Sequence, residues 1–353
     1  MILFLVILHI ITPYLVPVKE VYHDRLSYNL ILNSHHDLNV ALDKIKKDIQ
    51  EKKLKDYVII LGDSVFYGSP GKSEDTFNAV IERELDGGKS QPIYNLSLPA
   101  SQTGDIYAML LKLDQYGIST DHLIFNVRYA SFVPRYSYES ALFWWLDDLH
   151  SLDLEAYQRS LPLEATDKPA IKPYAKFKNE LENVLMPYFN LYAYKDYLNE
   201  SVNNEWVRKT GGVVASDELG PSIPWYEKDT KDELEQPEIQ KAFSDAPMDL
   251  TEQNVDIYFI NKIIAHQKMK DTLLVMTGTN HSLMKPLIEK PGYQENARKI
   301  NDYLSSLPIP FLNLEGSIPD HLFTDHTHLI AEGYKELGRL VWDAYKSEER
   351  HKS

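Results

Sequence analysis

Cysteine is absent from all 353 residues, which excludes disulfides, a thiol nucleophile and thiolate metal sites. That absence fits the cytosol or a bacterial exterior that makes little use of disulfides, so compartment has to be read from other features. Basic charge is also scarce. Lys and Arg number 37 against 52 Asp and Glu, and a formal net charge of −15 makes most of the surface repel a polyanion. Nucleic acid is therefore excluded as the expected partner. No internal repeat and no low-complexity tract occurs. What is present is 43% hydrophobic residues, enough for one large α/β domain with an insertion or for two domains, and too many for disorder over most of the length.

Charge is missing altogether from Met1 to Val18 (MILFLVILHIITPYLVPV), before Lys19 and Glu20. The run reads as a membrane element. Its length is marginal against the about 20 apolar residues that span a bilayer, and Pro13 and Pro17 disturb a helix near its exit. A cleaved signal peptide needs a basic n-region and a small-x-small cleavage site, and neither is there. A buried first helix of a soluble domain would show a polar face, which this run lacks. The expectation is an anchor or signal-like segment over 1–22 with the rest of the chain outside the cytoplasm, secretion being the alternative. A stalk or first packed helix follows over 23–55, where Leu38 to Leu54 has helical spacing with a solvated charged face.

From Asp56 short apolar runs alternate with helical segments. The runs are Tyr57–Leu61, Ile93–Leu96, His122–Val127, Thr272–Met276 and Ile309–Leu312, and helical periods such as Gly104 to Tyr116 and Asn254 to Lys268 lie between them. This alternation predicts a parallel sheet covered on both faces, with an active site at the carboxyl ends of its strands. The parts are 56–129 and 251–350, separated by a mostly helical, aromatic-rich insertion over 130–250 that is too long for a plain loop. Ser131 to Leu250 holds 22 acids against 12 bases, and so −10 of the total charge, together with Trp144, Trp145, Trp206 and Trp225 and tyrosines such as Tyr174, Tyr188 and Tyr192. One reading is a lid whose rings stack on sugars or line an acyl pocket. The other is that the rings form the insertion's own small core.

The first run ends in Gly62-Asp63-Ser64, which places a serine where a strand leaves the sheet. Alone the triplet is also an ordinary turn, and its position after the strand gives it weight. Near the C-terminus, Asp325-His326-Thr327-His328 precedes an amphipathic helix carrying Tyr334, Leu337, Val341 and Tyr345. A serine hydroxyl becomes a useful nucleophile when an imidazole removes its proton, and a carboxylate holds that imidazole in the right tautomer. The catalytic assignment is Ser64 as nucleophile, His328 as base and Asp325 as its orienting acid. His326 is the rival base and is expected as an exposed loop residue. Asp325, His326 and His328 also have metal-ligand chemistry, but with no second ligand cluster in the chain no metal site is expected.

On these motifs the chain resembles the SGNH, or GDSL-like, hydrolase superfamily, over Asp56 to Val127 and Asn254 to about Tyr345. The resemblance implies a flavodoxin-like, doubly wound α/β sheet, no cofactor, and an oxyanion hole built from further segments. Two of those segments depart from the family pattern. Where a glycine is usual after the second strand, Ser97 or Ala100 stands. In place of G-x-N-D after the third strand the chain has Asn126-Val127-Arg128. The oxyanion candidates are therefore Ser64 itself, Ser97, Ala100, Asn126 and Arg128, with a salt bridge to the acidic insertion as the other use of Arg128. Candidates for binding substrate are Asp63, Asn280, Trp144, Trp145 and Trp225, and Asn280 has a second reading as a turn residue capping the next segment.

The triad implies acyl transfer through an acyl-serine and leaves the acceptor open. An anchor, altered oxyanion segments and an aromatic insertion together resemble membrane-anchored members that decorate bacterial envelope polysaccharides. The resemblance thus implies O-acetyl transfer to an envelope glycan, with a polytopic membrane acyltransferase as acyl donor. A carbohydrate or lipid esterase of the same fold is the alternative. An idle domain serving as a glycan-binding or assembly component is a third reading.

Overall fold

The computed structural model describes residues 2–15, 18–33, 37–85, 91–162, 194–212, 219–230 and 233–352. The chain divides into two compact units, Met1–Leu54 with Leu163–Asp217, and Lys55–Pro162 with Glu218–Ser353. The stretch expected as one insertion is thus shared between them. Residues through Pro162 and from Glu218 belong with the sheet, and Leu163–Asp217 belongs with the N-terminal segment. Tyr174, Tyr188 and Tyr192 lie outside the described residues.

In the first unit, helix Asp37–Glu51 buries Leu38, Ala41, Leu42 and Ile45 at helical spacing, so it is a packed helix rather than a bare stalk. A short antiparallel ribbon pairs Tyr22–His23 with Arg25–Leu26. Helix Ile2–Leu15 has 14 residues. At 1.5 Å per residue that is about 21 Å, less than the about 30 Å of a bilayer's hydrocarbon core. Among the described residues no helix is long and apolar enough to cross a membrane. Val6, Ile7, Ile10 and Ile11 are exposed on this helix.

The second unit is built on five parallel strands: β1 (Val58–Leu61), β2 (Ile93–Asn95), β3 (His122–Val127), β4 (Asp271–Met276) and β5 (Phe311–Asn313). Their order across the sheet is β2-β1-β3-β4-β5, that of flavodoxin-like doubly wound sheets. Ile59 pairs with Tyr94 and Leu123, Leu123 with Thr272, and Val275 with Leu312. The inner strands are continuously apolar because both faces are covered. One face carries Val58, Ile60, Ile93, Ile124, Leu273 and Val275, which pack with Phe77 and with Leu337 and Val341 of helix Ala331–Lys352. Helices Thr103–Tyr116 and Val255–His266 pack against each other, with Tyr107 and Phe259 ring centroids 5.9 Å apart. Each fully buried Leu, Val or Phe side chain contributes about 1.5–3 kcal/mol, so this double cover fixes the sheet whose carboxyl edge carries the site.

The two ends of the insertion that stay with this unit are fastened by ion pairs. Arg135 donates through Nε and Nη2 to Asp256, at 3.0 and 2.6 Å, and Thr103 donates to the same carboxylate. Lys241 bonds Glu139 at 2.8 Å and stands over the Tyr136 ring. These contacts link Arg135 and Glu139 near the start of the insertion to residues near its end.

Candidate active site

The nucleophile turn begins at Gly62, where a Cβ would lie 2.0 Å from Asn126 Oδ1 and 2.7 Å from Phe66 Cβ. Only glycine lets the third strand's asparagine approach this closely. Asn126 then clamps the next residue twice: its Oδ1 accepts from the Asp63 amide at 3.1 Å and its Nδ2 donates to Asp63 Oδ1 at 3.0 Å. Asp63 is 5% exposed and caps the helical turn Ser64–Tyr67 by accepting from the Val65 amide at 2.9 Å. Its other oxygen meets Arg128 Nε at 3.2 Å. Gly68, at φ 86°, ends the turn. Ser64 is thereby presented at the end of β1 by a frame of Gly62, Asp63, Asn126 and Arg128.

The base arrives from the other end of the chain. Phe323 and Leu329 form a bridge, the Thr324 amide bonds the His328 carbonyl at 2.8 Å, and the enclosed loop carries the acid and the base. Asp325 Oδ1 accepts from the Thr327 and His328 amides at 2.8 and 2.7 Å, and Oδ2 meets His328 Nδ1 at 2.8 Å. His328 Nε2 lies 2.8 Å from Ser64 Oγ, so serine, imidazole and carboxylate form one hydrogen-bonded line. Burial by itself pushes the Asp325 carboxyl up. The neighbouring His328, through its charge and its hydrogen bond, outweighs burial with help from His326 and holds the carboxyl well below the usual range.

Several candidates take other roles than expected. Asn280 is fully buried: its Oδ1 caps helix His281–Ile288 at the Leu283 amide, its Nδ2 donates to the Asp325 carbonyl at 3.2 Å, and its own amide donates to the His326 carbonyl at 3.1 Å. It holds the acid-base loop in place. Asp63 and Asn126 bond each other across the nucleophile turn, which uses Asn126 Oδ1 and one of its two Nδ2 hydrogens. Arg128 pairs with Asp63 rather than with the acidic insertion, and it lines a second cleft of about 420 Å³ with Gln102 and Arg135. His326 is a part-buried residue, not an exposed one. Its Nδ1 lies 2.7 Å from Glu233 Oε1 and its ring stands edge-on to Phe243.

Of the three candidate tryptophans two are buried and Trp225 is half-buried. Trp144 and Trp145 are 3% and 1% exposed, and both amides bond Asp105 Oδ1. Trp144 Nε1 donates to the Pro99 carbonyl at 2.8 Å. Trp225 Nε1 donates to the Asp320 carbonyl at 3.0 Å and its amide to the Phe323 carbonyl at 2.9 Å, so it pins the returning insertion to the base loop. Ser97 is 1% exposed and its amide is taken by Asn95 Oδ1. Its amide is thereby taken, while its buried hydroxyl has no hydrogen-bond partner among the described residues.

Ala100 behaves differently. Its φ is 63°, a left-handed value that a glycine would take without strain, and it is exposed at the tip of the turn Leu98–Ser101. The Leu98 amide bonds the Gly62 carbonyl at 3.1 Å, which ties this turn to the nucleophile turn. Among the described residues neither the Ser64 nor the Ala100 amide has a hydrogen-bond acceptor.

A cleft of about 280 Å³ is lined by Ser64, Asp325 and His328 together with Ser69, Pro70, Pro99, Leu219, Gly220, Pro221 and Lys228. Its far wall is the returning insertion, held by the Leu219 amide on the Pro70 carbonyl and by Thr324 Oγ1 on the Ile223 carbonyl. Lys228, Ser69 and Glu233 gave no sequence signal, because nothing in their spacing ties them to either motif. Among the described residues no group of three His, Cys, Asp or Glu side chains is arranged to hold a metal ion.

A scan against protein-family models finds none that matches, and no curated protein matches. Among solved structures the chain is similar to a protein from Desulfitobacterium hafniense DCB-2 described as lipolytic and of the G-D-S-L family. The two share 11% identity at a TM-score of 0.34, over 82% of this chain and 99% of the other.

Proposed function

We propose that this chain is a serine acyl-ester enzyme of the SGNH, or GDSL-like, kind, working through an acyl-Ser64 intermediate. The observation that carries the reading is the line Ser64 Oγ, His328 Nε2, His328 Nδ1, Asp325 Oδ2, with 2.8 Å at both hydrogen bonds. Ser64 Oγ attacks the ester carbonyl as His328 takes its proton, and Asp325 stabilises the imidazolium that results. The amides of Ser64 and Ala100 are the free donors for the developing oxyanion. His328 then returns the proton to the departing alkoxide, and the acyl-serine is opened by water or a hydroxyl with the same base. The assembled triad speaks against an idle binding domain. The test is labelling with a fluorophosphonate followed by peptide mass spectrometry. Modification is expected on Ser64 and lost in Ser64→Ala, and a folded wild type that stays unlabelled would sink the reading.

For the acceptor, the finer reading is O-acetyl transfer to a cell-envelope polysaccharide, with a polytopic membrane acyltransferase supplying the acyl group and the apolar N-terminal segment holding the enzyme at the membrane outside the cytoplasm. Exposed Val6, Ile7, Ile10 and Ile11 support the membrane part. Hydrolysis of a carbohydrate or lipid ester is the second reading, favoured by the burial of Trp144 and Trp145, which removes the expected sugar platform. With an activated acetyl ester and envelope oligosaccharides, transfer gives acetyl-sugar at the expense of acetate, and hydrolysis gives acetate alone.

A further inference from the structure

The catalytic cleft contains two polar groups that the acyl chemistry leaves unused. Lys228 lines it beside Ser64, Asp325 and His328, and its Nζ donates to Thr324 Oγ1 at 2.6 Å. Among the described residues this ammonium has no carboxylate partner, although the chain carries a net charge of −15. Ser69 lines the same cleft, is 4% exposed, and its hydroxyl has no hydrogen-bond partner among the described residues. A desolvated hydroxyl with nothing to bond is a standing penalty that a ligand's acceptor atom removes. A part-buried ammonium bonded only to a hydroxyl is likewise short of negative charge. The rest of the lining besides the triad is Pro70, Pro99, Leu219, Gly220 and Pro221, which offers no competing charge.

Position assigns the side of the ester that these groups meet. Thr324, the partner of Lys228, directly precedes Asp325 on the loop that carries His328. His328 hands its proton to the leaving alcohol, so the ammonium stands on the alcohol side of the scissile bond. We propose that the cleft selects esters whose alcohol portion bears an anion, a carboxylate or a phosphate, held by the Lys228 ammonium with the Ser69 hydroxyl as a second donor. The proposal rests on the acyl-serine reading above and names the substrate class of that site. In the transfer direction the same wall receives the acceptor, which is then an acidic alcohol such as a sugar bearing a carboxylate or phosphate.

The test compares three acetyl esters of similar size: methyl 4-acetoxybenzoate as the neutral member, 4-acetoxybenzoate for a carboxylate and 4-acetoxyphenyl phosphate for a phosphate. The readout is the ratio of kcat/KM for each anionic ester to the neutral one, taken in wild type and then in Lys228→Gln, Lys228→Arg and Ser69→Ala. Dividing one ratio by the other cancels the leaving groups' intrinsic reactivity. Removing the cation is expected to lower the ratio by about fivefold to tenfold. Arginine should restore most of it, Ser69→Ala should lower it less, and added salt should shrink the wild-type value. A larger loss for the phosphate or for the carboxylate identifies the anion. A ratio left unchanged by Lys228→Gln, with both rates falling together, makes Lys228 a structural pin for Thr324 and overturns the proposal. Turnover of no ester, with Ser64 unlabelled, instead overturns the enzyme reading beneath it.

Discussion

His326 and His328 stand two positions apart and differ in what their ring nitrogens hold. His328 joins Asp325 to Ser64, while His326 is taken up by Glu233. His328→Ala is expected to cut kcat by about 10³-fold or more, as removal of a triad member does. His326→Ala should leave most of the activity, and steady-state rates on an activated ester decide between them. Asp325 sets an acid-stability signature. Its carboxyl is held low in the folded state, so the folded chain keeps it charged where the unfolded chain, near about 3.9, takes up a proton. The stabilisation is complete above that value and fades as pH falls below it. Thermal midpoints measured between about pH 5 and 2.5 should therefore fall more steeply for wild type than for Asp325→Asn. Ala100→Gly should relieve the left-handed strain and stabilise the fold by about 1 kcal/mol while keeping the amide proposed as an oxyanion donor. A lowered midpoint would show that the alanine methyl packs in a way that outweighs its φ.

Among the elements, the turn Leu98–Ser101 depends most on contacts that sequence spacing does not announce. Asp105 accepts from the amides of Gln102, Phe143, Trp144 and Trp145, and burial pushes its carboxyl up against those four donors. Asp105→Ala would strand buried donors and is expected to cost about 3 kcal/mol or more, read by chemical denaturation. Trp144→Phe removes the bond to the Pro99 carbonyl and should lower hydrolysis and transfer alike, because the ring positions the turn rather than an acceptor. The five strands, their flanking helices and the meeting of Ser64 with Asp325 and His328 were legible because strands buried on both faces read as apolar runs, and because the three residues stand in two local motifs. The tryptophans were not. A ring in a sequence carries no sign of whether it faces a cleft or a core, and a first-turn aspartate such as Asp105 reads as a helix cap without showing that it also gathers the Phe143, Trp144 and Trp145 amides. Asn280 caps the next helix as its second reading had it, whereas the bonds of Asn126 to Asp63 had no sign in the sequence, since an asparagine at a strand end caps turns as readily as it meets a ligand.

For the molecule as a whole, the apolar helix Ile2–Leu15 and the acidic surface oppose each other at a membrane. The helix favours insertion through Val6, Ile7, Ile10 and Ile11, whereas a net −15 is repelled by anionic lipid. Full-length protein is expected to float with neutral vesicles, more weakly with anionic ones at low salt, and to lose binding on Ile10→Asp. Binding that ignores this change would remove the helix from the contact. The catalytic unit is also discontinuous, with Ser64 and His328 separated by 264 positions. At typical translation speeds the base leaves the ribosome roughly 15–50 s after the nucleophile. Until β4 and β5 follow, β1, β2 and β3 stand as a partial sheet, and Val58, Ile60 and Ile93 lack the cover of helix Ala331–Lys352 until after the base has emerged. On the acyl-serine reading Ser64 thus waits for its base while one face of the sheet invites aggregation, and helix Ala331–Lys352, which directly follows the base loop, seals that face.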